Sequence, residues 1–132
     1  MKNKIIVVGN HVTSLNIMRQ LGKSGIETYL IHKNSINISR FSKYCKKFFK
    51  CPPFTEYNTV VNFLINLAKM NSRLLKAVLI PTNDDAVYAL SKNKKKLEKY
   101  FTVPIPEWKI INRASDKRVT LSIAEKLGIP IP

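Results

Sequence analysis

Acidic residues are scarce in this chain: eight Asp and Glu stand against 23 Lys and Arg, a formal charge of +15. Glycine is scarcer still, with four in 132 residues. A dinucleotide-binding turn needs several glycines after its first strand and an acid ending its second; here Gly9 stands alone and the second strand ends in His32. A phosphate-binding loop fails as well, because no glycine-rich stretch runs into Lys-Ser or Lys-Thr. A receiver domain wants an acidic pair after its first strand, where Gly9-Asn10 stands. The two cysteines, Cys45 and Cys51, have only His11 and His32 as distant companions, so a metal site has little support and reduced structural thiols are expected. No apolar run reaches the length of a membrane span, and Ile5-Ile6-Val7-Val8 is too short for the core of a signal peptide. A cytoplasmic location is expected.

What is present is an ordinary globular composition, 45% apolar, of a size suited to a single core. The positive charge is mostly lysine; five of the 23 basic residues are Arg, the type that grips bases and phosphates bidentately. Together with the abundance of Ile and Asn, this reads as lysine filling solvated surface under an AT-rich coding bias. Nucleic-acid binding is therefore disfavoured. The cluster Lys92, Lys94, Lys95, Lys96 and Lys99 is read as a solvated face.

Strands and helices alternate. Lys4 to Val8 is an apolar run closed by Gly9, and Thr13 or Ser14 is expected to cap a helix carrying Leu15, Met18 and Leu21. Glu27 to His32 is a second strand, Lys46 to Lys50 a short third, and Tyr57 to Met70 an amphipathic helix. Lys76 to Ile80 is another buried strand, followed by a helix from Ala86 to Leu90 capped by Asp84, and a last strand lies around Tyr100 to Val103. Glu107 to Asn112 is a short helix or turn. Asp116 caps a terminal helix whose stripe is Val119, Ile123, Ala124 and Leu127; Gly128 ends it, and Pro130 and Pro132 forbid its continuation. This pattern predicts an α/β fold, a doubly wound parallel sheet of four to five strands with helices on both faces. Residues 1–115 form the domain, and 116–132 the helix and the start of a junction. An extended Ile-Pro-Ile-Pro tail after a capped helix is expected of a chain cut at a domain boundary. Ligands in such sheets sit at the carboxyl ends of the strands, which selects Gly9 to Ser14, His32 to Lys43 and Pro81 to Asp85 as the functional rim. Asp84 and Asp85 are paired carboxylates on that rim, suited to helix capping or to metal and general-acid work.

Four stretches resemble the N-terminal, biotin-carboxylase-N-like (pre-ATP-grasp) domain of ATP-grasp carboxylate–amine ligases. They are Val7-Val8-Gly9 with the helix after it, including Arg19 and Leu21-Gly22; Ser39-Arg40-Phe41-Ser42-Lys43-Tyr44; Leu79 to Val87 around Pro81-Thr82-Asn83-Asp84-Asp85; and Asp116-Lys117 with the Ala124 to Pro132 tail. Each motif is weak alone, and their order and spacing carry the likeness along almost the whole chain. The resemblance implies a Rossmann-like domain of an enzyme that uses ATP and Mg2+ to activate a carboxylate as an acyl phosphate, which an amine then attacks. The catalytic ATP-grasp core lies after this domain in such proteins, so the chain alone is expected to be inactive and to hold neither cofactor firmly. The resemblance further implies that Lys117 reaches an ATP phosphate and that Gly9, Ser39, Arg40, Asn83, Asp84 and Asp85 face the acceptor substrate. Arg40 would pair with a carboxylate, and Asn83 and Asp85 would orient an amine. The family's Ser-Asp-Glu type of strand end is replaced here by Asn83-Asp84-Asp85, a shorter acid. His11 is read as a rim residue rather than a base. Two rivals remain from other classes: a stand-alone basic module for nucleic acid or a nucleotide, and a metal-dependent enzyme using Asp84 and Asp85.

Overall fold

A computed structural model describes residues 3–130. Strand β1 (Lys4–Val8) is followed by helix α1 (His11–Lys23), strand β2 (Glu27–His32), a single 3-10 turn (Ile38–Phe41) and strand β3 (Cys45–Lys50). Helix α2 (Tyr57–Met70) leads through a second short turn to strand β4 (Val78–Pro81). Helices α3 (Asp84–Lys92), α4 (Lys94–Leu97), α5 (Trp108–Ser115) and α6 (Lys117–Lys126) complete the chain. The sheet is wholly parallel, in the order β3-β2-β1-β4.

The continuous apolar run of β1 is explained by burial on both faces. Ile5 and Val7 pack with Met18 of α1 and Leu30 of β2 on one side. Ile6 and Val8 face the larger core of Val60, Leu64, Ala68, Ala86 and Leu90, supplied by α2 and α3. Helices on both faces of a parallel sheet are the expected doubly wound arrangement. The segment around Tyr100 to Val103 reaches the sheet as one parallel bridge, Val78 to Thr102, flanked by Leu79 N donating to Thr102 O at 2.9 Å. It is a rudimentary fifth strand on the β4 edge. The other edge, β3, carries Lys46, Lys47 and Lys50, and charged side chains on an edge strand discourage pairing with other chains. Lys46 also pairs with Glu27, so part of the lysine excess has a structural use.

Three local expectations are corrected. Helix α1 starts at His11, not at a Thr13 or Ser14 cap: Asn10 is the extended N-cap residue, and Ser14 lies inside the first turn with Oγ donating back to Asn10 O at 3.0 Å. The chain turns earlier because Gly9 adopts φ +143 directly after the strand. Helix α3 is capped by Asn83 rather than Asp84; Asn83 Oδ1 accepts from Ala86 N at 2.8 Å, and Asp84 and Asp85 occupy the first turn, where the helix dipole favours acids. Strand β4 starts at Val78 because Lys76 is in the left-handed region, φ +61, with its N–H donated to Tyr100 O.

The terminal helix is capped as its sequence implies, Asp116 Oδ1 accepting from Arg118 N at 2.9 Å. Gly128 ends it at φ +69, with Gly128 N on Glu125 O and Ile129 N on Ala124 O. Its apolar stripe finds no core: neither α5 nor α6 contains a buried residue, and Leu127 is 69% exposed. Helix α6 leans on α5, and α5 on α3. The Ile131-Pro132 end of the tail lies outside the described residues. Among the described residues no helix is long and apolar enough to cross a membrane.

Candidate functional site at the carboxyl end of the sheet

The sheet changes winding direction between β1 and β4, since the chain leaves β1 toward β2 and returns to the opposite side as β4. Crevices form at such points. Gly9 lies at the base of this one: its N–H donates to Ile31 O at 3.1 Å, and a Cβ on it would stand 2.0 Å from Thr82 Oγ1. Thr82 in turn ties β4 to both neighbours, with N donating to Val8 O at 3.0 Å and Oγ1 within 2.9 Å of Ser14 Oγ. Glycine is thus required where two strand-end loops touch.

Above this contact is a cleft of about 260 Å³ lined by Asn10, His11, His32, Lys33, Asn34, Phe54, Thr55, Asn83 and Asp85. Asp85 offers the cleft an exposed carboxylate, whereas Asn10 Oδ1 is a buried oxygen without a hydrogen-bond partner among the described residues. An orphaned buried acceptor costs about 1–3 kcal/mol. Asn83 spends Oδ1 on its cap, and its Nδ2 is directed toward Gly9. His11 starts α1 at φ +77, a strained conformation for a residue other than glycine. His32 is buried against Phe54, ring centroids 5.9 Å apart. Its Nδ1 accepts from Asn34 N at 3.1 Å, which places the proton of the neutral ring on Nε2. Burial first, aided by Lys33 and His11 and opposed by the Asn34 carbonyl 3.5 Å from Nδ1, holds its pKa below the ordinary histidine value. Beside it, Cys51 is buried and its thiol is pushed up to about 12, so it behaves as an inert apolar residue.

Of the residues singled out from sequence, Asn83 and Asp85 are brought together in the cleft. Gly9 forms its base, with its N–H committed to Ile31 O. Ser39 is fully buried, its hydroxyl donated to His11 O at 3.2 Å, so it fixes the rim instead of facing it. Arg40 lies to the side, Nη1 on Ser35 O at 2.9 Å and the guanidinium 4.9 Å from the centroid of Phe48. Asp84 is exposed and outside the lining. Lys117 is the first residue of α6, exposed and without a hydrogen bond or ion pair among the described residues. Sequence reasoning placed Asn10, Lys33 and Asn34 on the rim loops without giving them a role, and passed over Phe54 and Thr55. The same strand-end rule could have found Phe54 and Thr55, which follow Pro52-Pro53 at the end of β3. Among the described residues no three His, Cys, Asp or Glu stand close enough to hold a metal ion, so the Asp84–Asp85 pair lacks a third ligand.

No family model matches this chain, and no curated protein matches its sequence. Solved structures do match its fold. An L-amino acid ligase from Bacillus licheniformis aligns with a TM-score of 0.77 at 11% identity, over 99% of this chain and 32% of its own. The biotin carboxylase subunit of a pyruvate carboxylase aligns at 0.66 and 24% identity, over 99% of this chain and 29% of its own. An N5-carboxyaminoimidazole synthetase from Staphylococcus aureus, solved with ADP, aligns at 0.66 and 12% identity, over 97% and 31%. These neighbours are ATP-grasp ligases, and the chain spans about a third of their length. The chain has a Rossmann-like α/β fold that is shared with part of each of these structures.

Proposed function

We infer that this chain is the N-terminal, substrate-side domain of an ATP-dependent carboxylate–amine ligase of the ATP-grasp type. The observation that carries the reading is the match of its entire fold to one part of a ligase about three times as long. In this reading residues 1–115 are the domain proper, residues 116–132 begin the junction, and the partner is a following ATP-grasp domain. The protein is cytoplasmic, and its substrates are a small carboxylate and an amine. The cleft supports the amine side best: the exposed Asp85 carboxylate is an acceptor suited to an ammonium or amino group, with Phe54 as an apolar wall.

ATP supplies the phosphoryl group that activates the carboxylate, with Mg2+ balancing its charge. The chain offers this cofactor one fitting group, the exposed Lys117 ammonium at the start of α6, where the helix dipole also favours a phosphate. It offers the metal no ligand cluster among the described residues. In this reading the chain is catalytically silent alone, because the ATP-grasp core lies in the following domain. ADP release is the test, measured for residues 1–132 and for the protein encoded by the complete gene, across a panel of amino acids. The expected result is Mg2+-dependent release by the complete protein, stimulated by particular amino acids, and none by the 132-residue chain. Sustained ADP release by the purified chain, or a complete protein with no carboxylate-stimulated release, would overturn the reading.

A further inference from the structure

A second concavity, of about 300 Å³, lies away from the strand ends, between α3, α4 and the start of α5. Its lining is Ser91 to Lys96 with Glu107, Trp108 and Lys109. Two properties set it apart from a solvated lysine face. The first is uncompensated charge: five lysines (Lys92, Lys94, Lys95, Lys96 and Lys109) surround the concavity with a single acid, Glu107, in the lining. Lys94 has partners, Ile105 O at 2.7 Å and Glu98 at 3.6 Å. Lys95, Lys96 and Lys109 are exposed and have no acidic partner among the described residues. Lysines gathered without acids make a positive surface that favours an anion.

The second property is a fixed aromatic wall. Trp108 meets Tyr88 edge-on at 5.6 Å, and the Lys92 ammonium lies 4.5 Å from the Trp108 centroid and 4.4 Å from that of Tyr57. The indole is held from α3, by Tyr88 and Lys92, before any ligand arrives. Preorganisation of this kind lowers the ordering cost of binding. An apolar wall ringed by free ammonium groups suits a flat ring bearing phosphate, and the volume is at the lower end of small-molecule sites.

We propose that this concavity binds a phosphate ester carrying an aromatic ring, of mononucleotide size, with Lys95, Lys96 and Lys109 on the phosphate and Trp108 against the ring. The site is distinct from the strand-end cleft and does not depend on the ligase reading. Trp108 is the sole tryptophan of the chain and so reports directly on its own site. AMP, ADP and ATP are titrated into the chain with emission excited at the red edge of the indole band. A saturable change is expected, weakened at least ten-fold in Lys95→Glu/Lys96→Glu and in Lys109→Glu. Both variants change exposed residues, and an unchanged thermal midpoint confirms that they fold. Inorganic phosphate should compete without moving the emission itself. The proposal is overturned by the absence of saturation, by affinity that survives both variants, or by affinity that climbs steadily with the length of an oligonucleotide. The last result would assign this face to a nucleic-acid strand instead.

Discussion

Gly9→Ala is the substitution whose cost the structure defines most sharply. Two terms act together. At φ +143 an L side chain is strained, by about 1–3 kcal/mol. The new Cβ would also lie 2.0 Å from Thr82 Oγ1 and 3.2 Å from Thr82 Cβ, which forces β4's end away from Val8 or twists Thr82 off Ser14. Overpacking of this kind costs about 1–3 kcal/mol more. A loss of about 2–6 kcal/mol is a large share of the about 5–15 kcal/mol that holds a typical domain together. Urea unfolding followed by far-UV circular dichroism measures it. Thr82→Ala separates the terms: alone it removes the Ser14–Thr82 contact at about 1 kcal/mol, but combined with Gly9→Ala it also removes the clash. The double variant should therefore be more stable than the sum of the two losses by about 1–2 kcal/mol. Strict additivity, or a Gly9→Ala loss below about 1 kcal/mol, would refute the close contact inferred at the base of the cleft.

Lys92→Met should cost about 1–2 kcal/mol through the lost contacts with Tyr57 and Trp108 and shift the Trp108 emission, while Lys92→Arg keeps both near normal; an unmoved spectrum in Lys92→Met would refute the clamp. His32 has a native pKa below its unfolded value, so the unfolded chain binds the extra proton first. Stability should fall as pH drops below about 6.5 through the lowered native value, and His32→Gln should flatten that slope in urea titrations at successive pH values. Asp116→Ala removes the α6 cap at about 1 kcal/mol, read as faster amide exchange in α6 with α1 to α3 unchanged; equal effects on both would count against a local role. Lys117→Ala in the protein from the complete gene should raise KM for ATP without changing the Tm of residues 1–132, and an unaltered KM would remove Lys117 from the phosphate site.

The architecture was legible because it rests on short-range patterns. The run Lys4 to Val8, the stripe of Tyr57 to Met70 and the strand Glu27 to His32 are each wide enough to fix an element, and the observed bounds coincide with them. Capping was half legible. Asp116 caps α6 as its position implies, but Asn83 displaced Asp84 at α3, because the two compete for one site and the extended backbone at Asn83, φ −147 and ψ 164, decides between them. The stripe Val119, Ile123 and Leu127 shows the other limit. Periodicity says that a face is apolar, and it cannot say whether the covering surface belongs to residues 3–130; here it does not. Under the proposed function that surface is the ATP-grasp domain.

The site was less legible than the fold for a reason of the same kind. The strand-end rule selected loops that do line a cleft, yet a polar residue on a rim serves a ligand only if its groups are not already used within the protein. That use is decided by partners far away in sequence. Ser39 gives its hydroxyl to His11, 28 positions distant, and Ser14 shares its own with Thr82, 68 positions distant. Arg40 spends Nη1 on Ser35 and its face on Phe48, both set by the particular path of the loop after β2. Asn10 is the converse case, an unremarkable loop residue in sequence that emerges with the one buried side-chain oxygen left unsatisfied among the described residues. Satisfaction of polar groups is a property of the completed tertiary structure. It separates Asp85, whose exposed carboxylate remains available to the cleft, from Asn83, Ser39 and Arg40, whose groups are used within the protein.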